Sequence, residues 1–134
     1  MSTDFHNEGN IGSPPEFREV PKGNDEPQRL LRLSVYFDHS VPVKDGYEDR
    51  GGFWAPVEWW HRDAEHFATL FQKGMRVFVD GHMERDDWKT DHDEPRTTYK
   101  VKAHGISILP YRIASVTMSP KETPASESAA PADD

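Results

Sequence analysis

The clearest pattern of hydrophobic and polar positions is a strict alternation over residues 28–38. Leu31, Leu33, Val35 and Phe37 occupy every second position, and Arg, Ser and Tyr lie between them. A period of two is typical of a β-strand with one face in a core. Four further segments have strand-like character, of which the first is the weakest: residues 5–11, 53–60, 75–83 and 96–109.

One segment instead has the period of an amphipathic helix. Within residues 62–73, Ala64, Phe67, Ala68 and Phe71 form a single apolar stripe, and a glycine follows as a stop signal. This places one short α-helix between the third and fourth of five strands. The order predicts an all-β fold, a five-stranded Greek-key barrel of the OB type with one helix.

Flexible segments surround and interrupt this predicted barrel. Residues 119–134 contain no aromatic and no branched aliphatic side chain, and they carry a net charge of -3. Such a segment cannot bury enough apolar surface to offset its ordering entropy, so we expect a disordered acidic tail. We expect one domain over residues 1–118 before this tail, and a flexible loop at residues 44–52.

Composition limits the classes of protein that remain. The chain has 134 residues, no cysteine and a formal net charge of -8. Without cysteine there are no disulfides and no thiolate sites. No apolar run is long enough to span a membrane and no secretory signal is visible, so we expect a cytoplasmic protein without membrane contact.

The acidity argues against nucleic acid at first, because phosphates attract clustered cations. It is, however, local. The tail accounts for -3 and residues 84–94 for -4, which leaves -1 on the rest of the chain. The charge therefore does not exclude a nucleic-acid-binding surface, although it predicts few phosphate contacts.

Signals for catalysis are missing from the sequence. The seven histidines form no metal-binding motif, and neither a phosphate loop nor a nucleophile motif occurs. We expect no enzyme activity, no cofactor and no metal site. A metal-dependent nuclease that uses the acids of residues 86–94 is the enzymatic alternative.

The tryptophans carry the functional signal. Alternation along residues 53–60 turns Trp54 and Trp60 outward and Trp59 toward the core, and Trp88 lies in a polar hairpin. Tyr36, outward on its strand, is a fourth candidate. Exposed indoles favour stacking of nucleic-acid bases, worth about 1–3 kcal/mol per base. The alternative is packing, with Trp60 over the helix start and Trp88 against the barrel.

Several spaced motifs resemble the bacterial single-stranded DNA-binding protein family. They span about residues 9–110 and comprise Gly9-Asn10-Ile11-Gly12, Pro15-Glu16-Phe17-Arg18, Pro21-Lys22-Gly23, the segment from Trp54 to Gly74, Val79-Asp80-Gly81, Trp88-Lys89 and Arg96-Thr97-Thr98-Tyr99. The resemblance is closest to divergent members carried by integrative and conjugative elements. It implies that Trp54 and Trp60 occupy the positions of stacking aromatics.

Three departures from the family pattern qualify this resemblance. Residues 84–87 are mostly acidic where the family is basic. The first strand is polar where the family pairs its subunits, which puts the usual homotetramer in question. The tail ends without the family's Ile-Pro-Phe anchor, which puts docking to the usual partners in question.

The predicted function is sequence-independent binding and protection of single-stranded DNA, in replication, recombination, repair or conjugative transfer. The partners expected are single-stranded DNA, further copies of the chain in a dimer or tetramer, and proteins that bind the tail. The candidate DNA-binding residues are the stacking side chains Trp54, Trp60, Trp88 and Tyr36 and the cations Arg18, Arg29, Arg32, Lys73, Arg85, Lys89, Lys100 and Lys102. The alternative is an OB-fold protein-interaction module of a primosome or conjugation assembly with weak nucleic-acid affinity.

Overall fold

The computed structural model describes residues 2–121, so most of the predicted tail lies outside the described residues. The elements in chain order are β1 (Ser2–Ile11), β2 (Glu16–Lys22), β3 (Asp25–Phe37), β4 (Ser40–Val43), β5 (Gly46–Asp49), β6 (Phe53–Trp60), α1 (Ala64–Ala68), β7 (Arg76–Lys89) and β8 (Pro95–Ile108). Within residues 2–121, no helix is long and apolar enough to cross a membrane.

Five strands close into a barrel. The main sheet has the order β1-β7-β8-β6-β3-β2, and a second pairing joins β1 to β3 at Asn10–Tyr36 and Ile11–Val35. β6 and β8 are parallel, whereas the other pairs are antiparallel. β2 is a sixth strand outside the closed ring, paired with the first half of β3. The all-β, five-stranded barrel predicted from the sequence is therefore confirmed.

The core fills the barrel from alternate positions of its strands, as the period of two predicts. Leu31, Leu33, Val35 and Phe37 of β3 are fully buried, together with the inward side chains Ile11, Val57, Val77, Val79 and Val101. Removal of this apolar surface from water is the main contribution to stability. Trp59 packs partly buried against this core and stacks on Phe67, with 4.7 Å between the ring centroids.

The predicted helix over residues 62–73 is too long. α1 ends at Ala68, and the chain after it folds in tight turns. Gly74 then donates a hydrogen bond to the carbonyl of Ile11 (2.7 Å), and Ile11 donates one to Met75 (2.9 Å). These bonds to β1 take the place of helical ones, while Phe71 still reaches the core.

The predicted flexible loop at residues 44–52 is also wrong. β4 and β5 form a hairpin there, with Lys44 and Asp45 in its turn and Gly46, at φ 136°, as the first residue of β5. Glycine adopts such a positive φ without steric cost, and an Asp-Gly pair between strand-like segments is a local hairpin signal. Asp45-Gly46 is that signal.

The β7–β8 hairpin extends well beyond the barrel. β1 pairs with β7 only as far as Glu84, and β6 pairs with β8 only at Val101 and Lys102. Residues 85–99 therefore form a two-stranded arm, almost all of it exposed. This arm is held in place only by the pairing of its two strands, because it has no core of its own.

Candidate functional site

Trp54 lies at the centre of the candidate site. The antiparallel register of β3 and β6 sets Tyr36 opposite Trp54, and the two ring centroids are 5.2 Å apart. The Trp54 side chain is 61% exposed although it stands on a barrel strand. Hydrophobic burial therefore does not explain its outward position, which agrees with the face predicted from alternation.

The back of the Trp54 ring rests on a glycine. A Cβ at Gly12 would overlap the six-membered ring of Trp54, so only glycine leaves room for the indole in this position. The Gly12 amide is itself fixed by a hydrogen bond to the Ser34 carbonyl (2.8 Å). Gly12 and Tyr36 together support the indole from two sides.

A first groove borders Trp54 on the side of β2. It has a volume of about 460 Å³, and we name it the basic groove after its two arginines. Its lining includes Arg18, Arg32, Glu16 and Pro56 beside Trp54. Arg18 forms an ion pair with Glu16 (3.1 Å). The structure thus brings the predicted cations Arg18 and Arg32 to the most exposed tryptophan.

A second groove borders Trp54 on the side of the arm. It has a volume of about 550 Å³, and we name it the apolar groove. It is lined by Phe53, Trp54, Pro56, Met83, Thr97, Thr98 and Tyr99. Trp54 and Pro56 belong to both grooves. The sequence prediction did not include Tyr99, which is 50% exposed.

A carboxylate lies between the two tryptophans of β6. Glu58 points outward between Trp54 and Trp60, and its side chain is only 13% exposed. The Nζ atom of Lys100 lies 3.4 Å from Glu58 Oε1, and Lys102 approaches Glu84 at 3.8 Å. Both predicted lysines therefore lie on this face, but each already has a carboxylate partner.

Trp60 is less exposed than Trp54 and Trp88. Its backbone is in register with Leu30, and its side chain is half-buried at the end of β6, just before the turn into α1. This position agrees in part with the packing alternative for Trp60.

Trp88 lies on the arm, opposite Arg96. It is 45% exposed and borders a small groove of about 260 Å³ that Arg85, Lys89 and Arg96 also line. Arg96 was not among the predicted cations, although the hairpin register that brings it to Trp88 follows from the short turn.

The cations of the arm are partly neutralised by neighbouring acids. Arg85 pairs with Asp87 (3.0 Å) and Arg96 with Glu94 (3.1 Å). The Thr97 hydroxyl donates a hydrogen bond to Asp87 (2.8 Å), and this bond and the one from Arg85 lower the pKa of the Asp87 carboxyl. The carboxylate therefore stays charged beside Arg85.

Tyr36 has a structural connection besides its contact with Trp54. Its hydroxyl donates a hydrogen bond to Asp49 Oδ2 (2.6 Å) at the end of β5 and accepts one from the Gly52 amide (3.3 Å). The hydrogen bond to Asp49 raises the pKa of the Tyr36 phenol. Tyr36 thus joins the β4–β5 hairpin to the strand that carries it.

Two predicted cations lie away from Trp54. Arg29 stands on the opposite face of β3 from Arg32, where it pairs with Glu65 of α1 (2.6 Å) and lies over the Phe17 ring (5.1 Å). Lys73 is exposed in the turn after α1. Neither lines the basic or the apolar groove.

Within the described part of the chain, no three His, Asp or Glu side chains come together so that they could hold a metal ion. The imidazoles of His82 and His104 form a pair with 5.4 Å between their ring centroids, and Glu84 lies 3.2 Å from His82.

Residues 5–109 match the model of the Single-strand binding protein family, which covers more than half of the chain. The single-stranded DNA-binding protein of Thermus aquaticus is 28% identical over 107 residues, which cover 75% of this chain and 36% of that protein. The corresponding protein of Wolinella succinogenes is 22% identical over 107 residues, covering 80% and 64%. The chain therefore spans about a third and just under two thirds of the length of these curated relatives.

Solved structures give the same fold. A small single-stranded DNA-binding protein from Streptomyces coelicolor is similar with a TM-score of 0.69 at 18% identity, covering 84% of this chain and 98% of that one. The Plasmodium falciparum SSB, solved in complex with ssDNA, is similar with a TM-score of 0.60 at 15% identity, covering 80% and 94%. The barrel, its grooves and the family match lead to one conclusion: the chain belongs to the single-strand binding protein family.

Proposed function

We propose that the protein binds single-stranded DNA without sequence preference, by stacking bases on exposed aromatic side chains. The observation that carries this proposal is the position of Trp54, an exposed indole held by Gly12 and Tyr36 at the junction of two open grooves. A base stacked on Trp54 would leave its phosphates within reach of Arg18 and Arg32. Stacking accepts any base, because every base has a π-face.

Trp88 is a second stacking position in this proposal. It lies with Arg85, Lys89 and Arg96 along one small groove, so an aromatic face and cations are again adjacent. Trp60 is a weaker contributor because its side chain is already partly buried.

Electrostatic attraction contributes less than stacking in this account. Arg18, Arg85, Lys100 and Lys102 each lie within 4.0 Å of a carboxylate. A phosphate must compete with that carboxylate, so fewer counterions are released on binding than the number of cations suggests.

The biological role proposed is coating and protection of single strands exposed in replication, recombination, repair or conjugative transfer. We also propose a dimer or tetramer. Within residues 2–121, the stretch Ser2–Glu8 of β1 hydrogen-bonds only to β7 and leaves one strand edge open to a second copy. An open edge of this kind can pair with another chain.

Titration of tryptophan fluorescence with oligothymidylate at low salt tests the proposal. We expect quenching by the single strand and much weaker quenching by a duplex of the same length, because paired bases cannot stack on a protein ring. Absence of quenching by either would overturn the proposed function.

The second candidate is a protein-interaction module with weak affinity for nucleic acid. The carboxylates that already neutralise the site favour it, Glu58 above all because it is nearly buried between the two tryptophans. Light scattering after size-exclusion chromatography separates the candidates. A mass that increases by one oligonucleotide supports DNA binding, whereas a mass unchanged by oligonucleotide supports the interaction module.

A further inference from the structure

We propose that the apolar groove is a second nucleobase site, in which a base stacks on Tyr99 next to the base held on Trp54. This inference rests on the proposed function and adds a subsite to it. Tyr99 lies on β8, in the arm, and its ring borders the same groove as Trp54.

The exposure of Tyr99 has a topological cause. Along β8, Tyr99 faces the same way as the fully buried Val101, so alternation alone would place it in the core. The barrel, however, ends at Val101, where β6 makes its contact with β8. Two residues beyond that point no strand covers the face, and Tyr99 is 50% exposed.

The chemistry of the lining selects a neutral, planar ligand. None of the side chains that border the apolar groove carries a formal charge, in contrast to the arginines and the glutamate of the basic groove. A phosphate would lose hydration here without gaining a cation, whereas a base would exchange water for aromatic and aliphatic contacts.

Besides the Tyr99 phenol, two threonine hydroxyl groups supply the polar contacts of the groove. The Thr97 hydroxyl already donates to Asp87 (2.8 Å), and Thr98 lines the same groove from the next position of β8. A hydroxyl can donate and accept, so Thr98 can pair with the edge of any base. This property fits binding without sequence preference.

The apolar groove meets the basic groove at Trp54, which identifies its occupant as part of the same DNA strand that stacks on Trp54. Trp54 and Pro56 line both grooves, so a strand whose phosphates lie along Arg18 and Arg32 can pass over Trp54 and place its next base beside Tyr99. A side chain of a protein partner would fill the apolar groove without using the arginines next to it.

The experiment measures the anisotropy of a fluorescein-labelled oligothymidylate with Tyr99→Ala, Tyr99→Phe and the control Tyr111→Ala. Tyr111 is also an exposed tyrosine, but it lies after β8 and borders neither of the two grooves. We expect Tyr99→Ala to raise Kd by about five- to thirtyfold, a conversion of the lower part of the range for one stacked base. The Kd values of Tyr99→Phe and Tyr111→Ala should stay within about twofold of the wild type. Tyr99→Phe keeps the aromatic ring, and Tyr111→Ala leaves the groove unchanged.

A second arm of the experiment replaces single thymidines by abasic sites. At one position, removal of the base should weaken the wild type and have little further effect on Tyr99→Ala, since the two changes remove the same contact. Cross-linking of 5-iodouracil placed there should yield a peptide containing Tyr99.

The outcomes separate this inference from the proposed function. If the wild type binds the oligonucleotide and Tyr99→Ala binds equally well, the Tyr99 site is overturned and the proposed function stands. If Tyr99→Ala instead changes the mass measured by light scattering, the groove holds a second copy of the chain and the inference is likewise overturned. If the wild type does not bind the oligonucleotide at all, the proposed function is wrong, and the Tyr99 site that rests on it is overturned as well.

Discussion

Trp54 and Trp88 are both exposed tryptophans on β-strands, but the structure holds them differently. Trp54 stands on a barrel strand that is paired with β3 at this position, and its ring rests on Gly12 and against Tyr36. Trp88 stands on an arm whose strands pair only with each other, beyond the barrel. One indole is fixed before a ligand arrives, and the other is supported by a single hairpin.

This difference predicts how much each tryptophan contributes to DNA affinity. A side chain already in its binding orientation loses little entropy on binding, whereas an arm that must be ordered offsets part of its stacking energy. We therefore expect Trp54 to contribute most of the binding energy and Trp88 to contribute mainly to the length of DNA covered.

The largest effect should follow removal of the two indoles in turn. Trp54→Ala should weaken binding of oligothymidylate by about 1–3 kcal/mol, and Trp88→Ala by about 1 kcal/mol or less. Isothermal titration calorimetry at one salt concentration measures both. Equal losses would show that preorganisation does not distinguish the two positions.

The close approach of Gly12 to the Trp54 ring can be tested without a change to the indole itself. Gly12→Ala places a methyl group where the Trp54 ring lies, so the ring must move and affinity should fall about tenfold, part of one stacking contribution. Gly105→Ala is the matched control, because a Cβ there meets nothing within 4 Å. A shift of the fluorescence emission maximum in Gly12→Ala, absent in the control, should accompany the loss. Wild-type affinity in Gly12→Ala would contradict the role assigned to this glycine.

The stability of the barrel depends on an ion pair that the arm does not share. Arg76 joins Glu8 (2.8 Å) and Asp38 (2.5 Å) at the junction of β1, β3 and β7. Burial alone would raise the pKa of the Asp38 carboxyl, but hydrogen bonds from Arg76 and Ser40 outweigh it and lower this pKa. A lowered pKa in the folded state means that protonation destabilises the barrel.

The pH dependence of unfolding checks this ion pair. The contribution of Asp38 is complete above its unfolded-state pKa of about 3.9 and is lost as the pH falls through the lower folded-state value. Asp38→Asn should reduce the free energy of unfolding by about 1–2 kcal/mol at pH 7 and flatten the loss of stability in acid. Urea titrations at pH 7 and pH 3 measure both effects, with the exposed Asp91→Asn as control. An unchanged acid dependence in Asp38→Asn would contradict the assignment.

The smallest predicted effect is a gain in affinity for DNA. Glu58→Gln removes the carboxylate between Trp54 and Trp60 and releases Lys100, so binding should tighten by about two- to fivefold at low salt. The control Glu19→Gln changes an exposed glutamate of β2 that borders neither groove. Fluorescence titration suffices, and weaker binding by Glu58→Gln would mean that Glu58 supports the site rather than opposing it.

The barrel strands were predictable because their signal is local. Alternation fixed the faces of β3 and β6, and with them the outward positions of Tyr36 and Trp54. The end of α1 was not predictable from its apolar stripe, because the chain after Ala68 turns toward β1, where Gly74 and Met75 form hydrogen bonds with Ile11, a residue more than 60 positions away. Tertiary contacts of this kind override local helix signals.

The site was predictable in part, for the same reason. Arg18 and Arg32 reach Trp54 as expected, whereas Arg29 faces α1 because it shares the inward face of Leu31. Tyr99 escaped prediction because its face becomes exposed only where the barrel ends, which depends on how far β6 extends along β8. Residue patterns show which side of a strand a residue occupies, but not whether another strand covers that side.

The most direct test of the central claim, that stacking on Trp54 outweighs neutralisation of phosphates, is the salt dependence of binding. A plot of log K against log salt for oligothymidylate should have a slope of about -1.4 to -2.1, which corresponds to two or three phosphates at about 0.7 each, and Trp54→Ala should lower K at every salt concentration with the slope unchanged. A slope steeper than about -4, with Trp54→Ala close to the wild type, would mean that phosphate contacts dominate and would contradict the account.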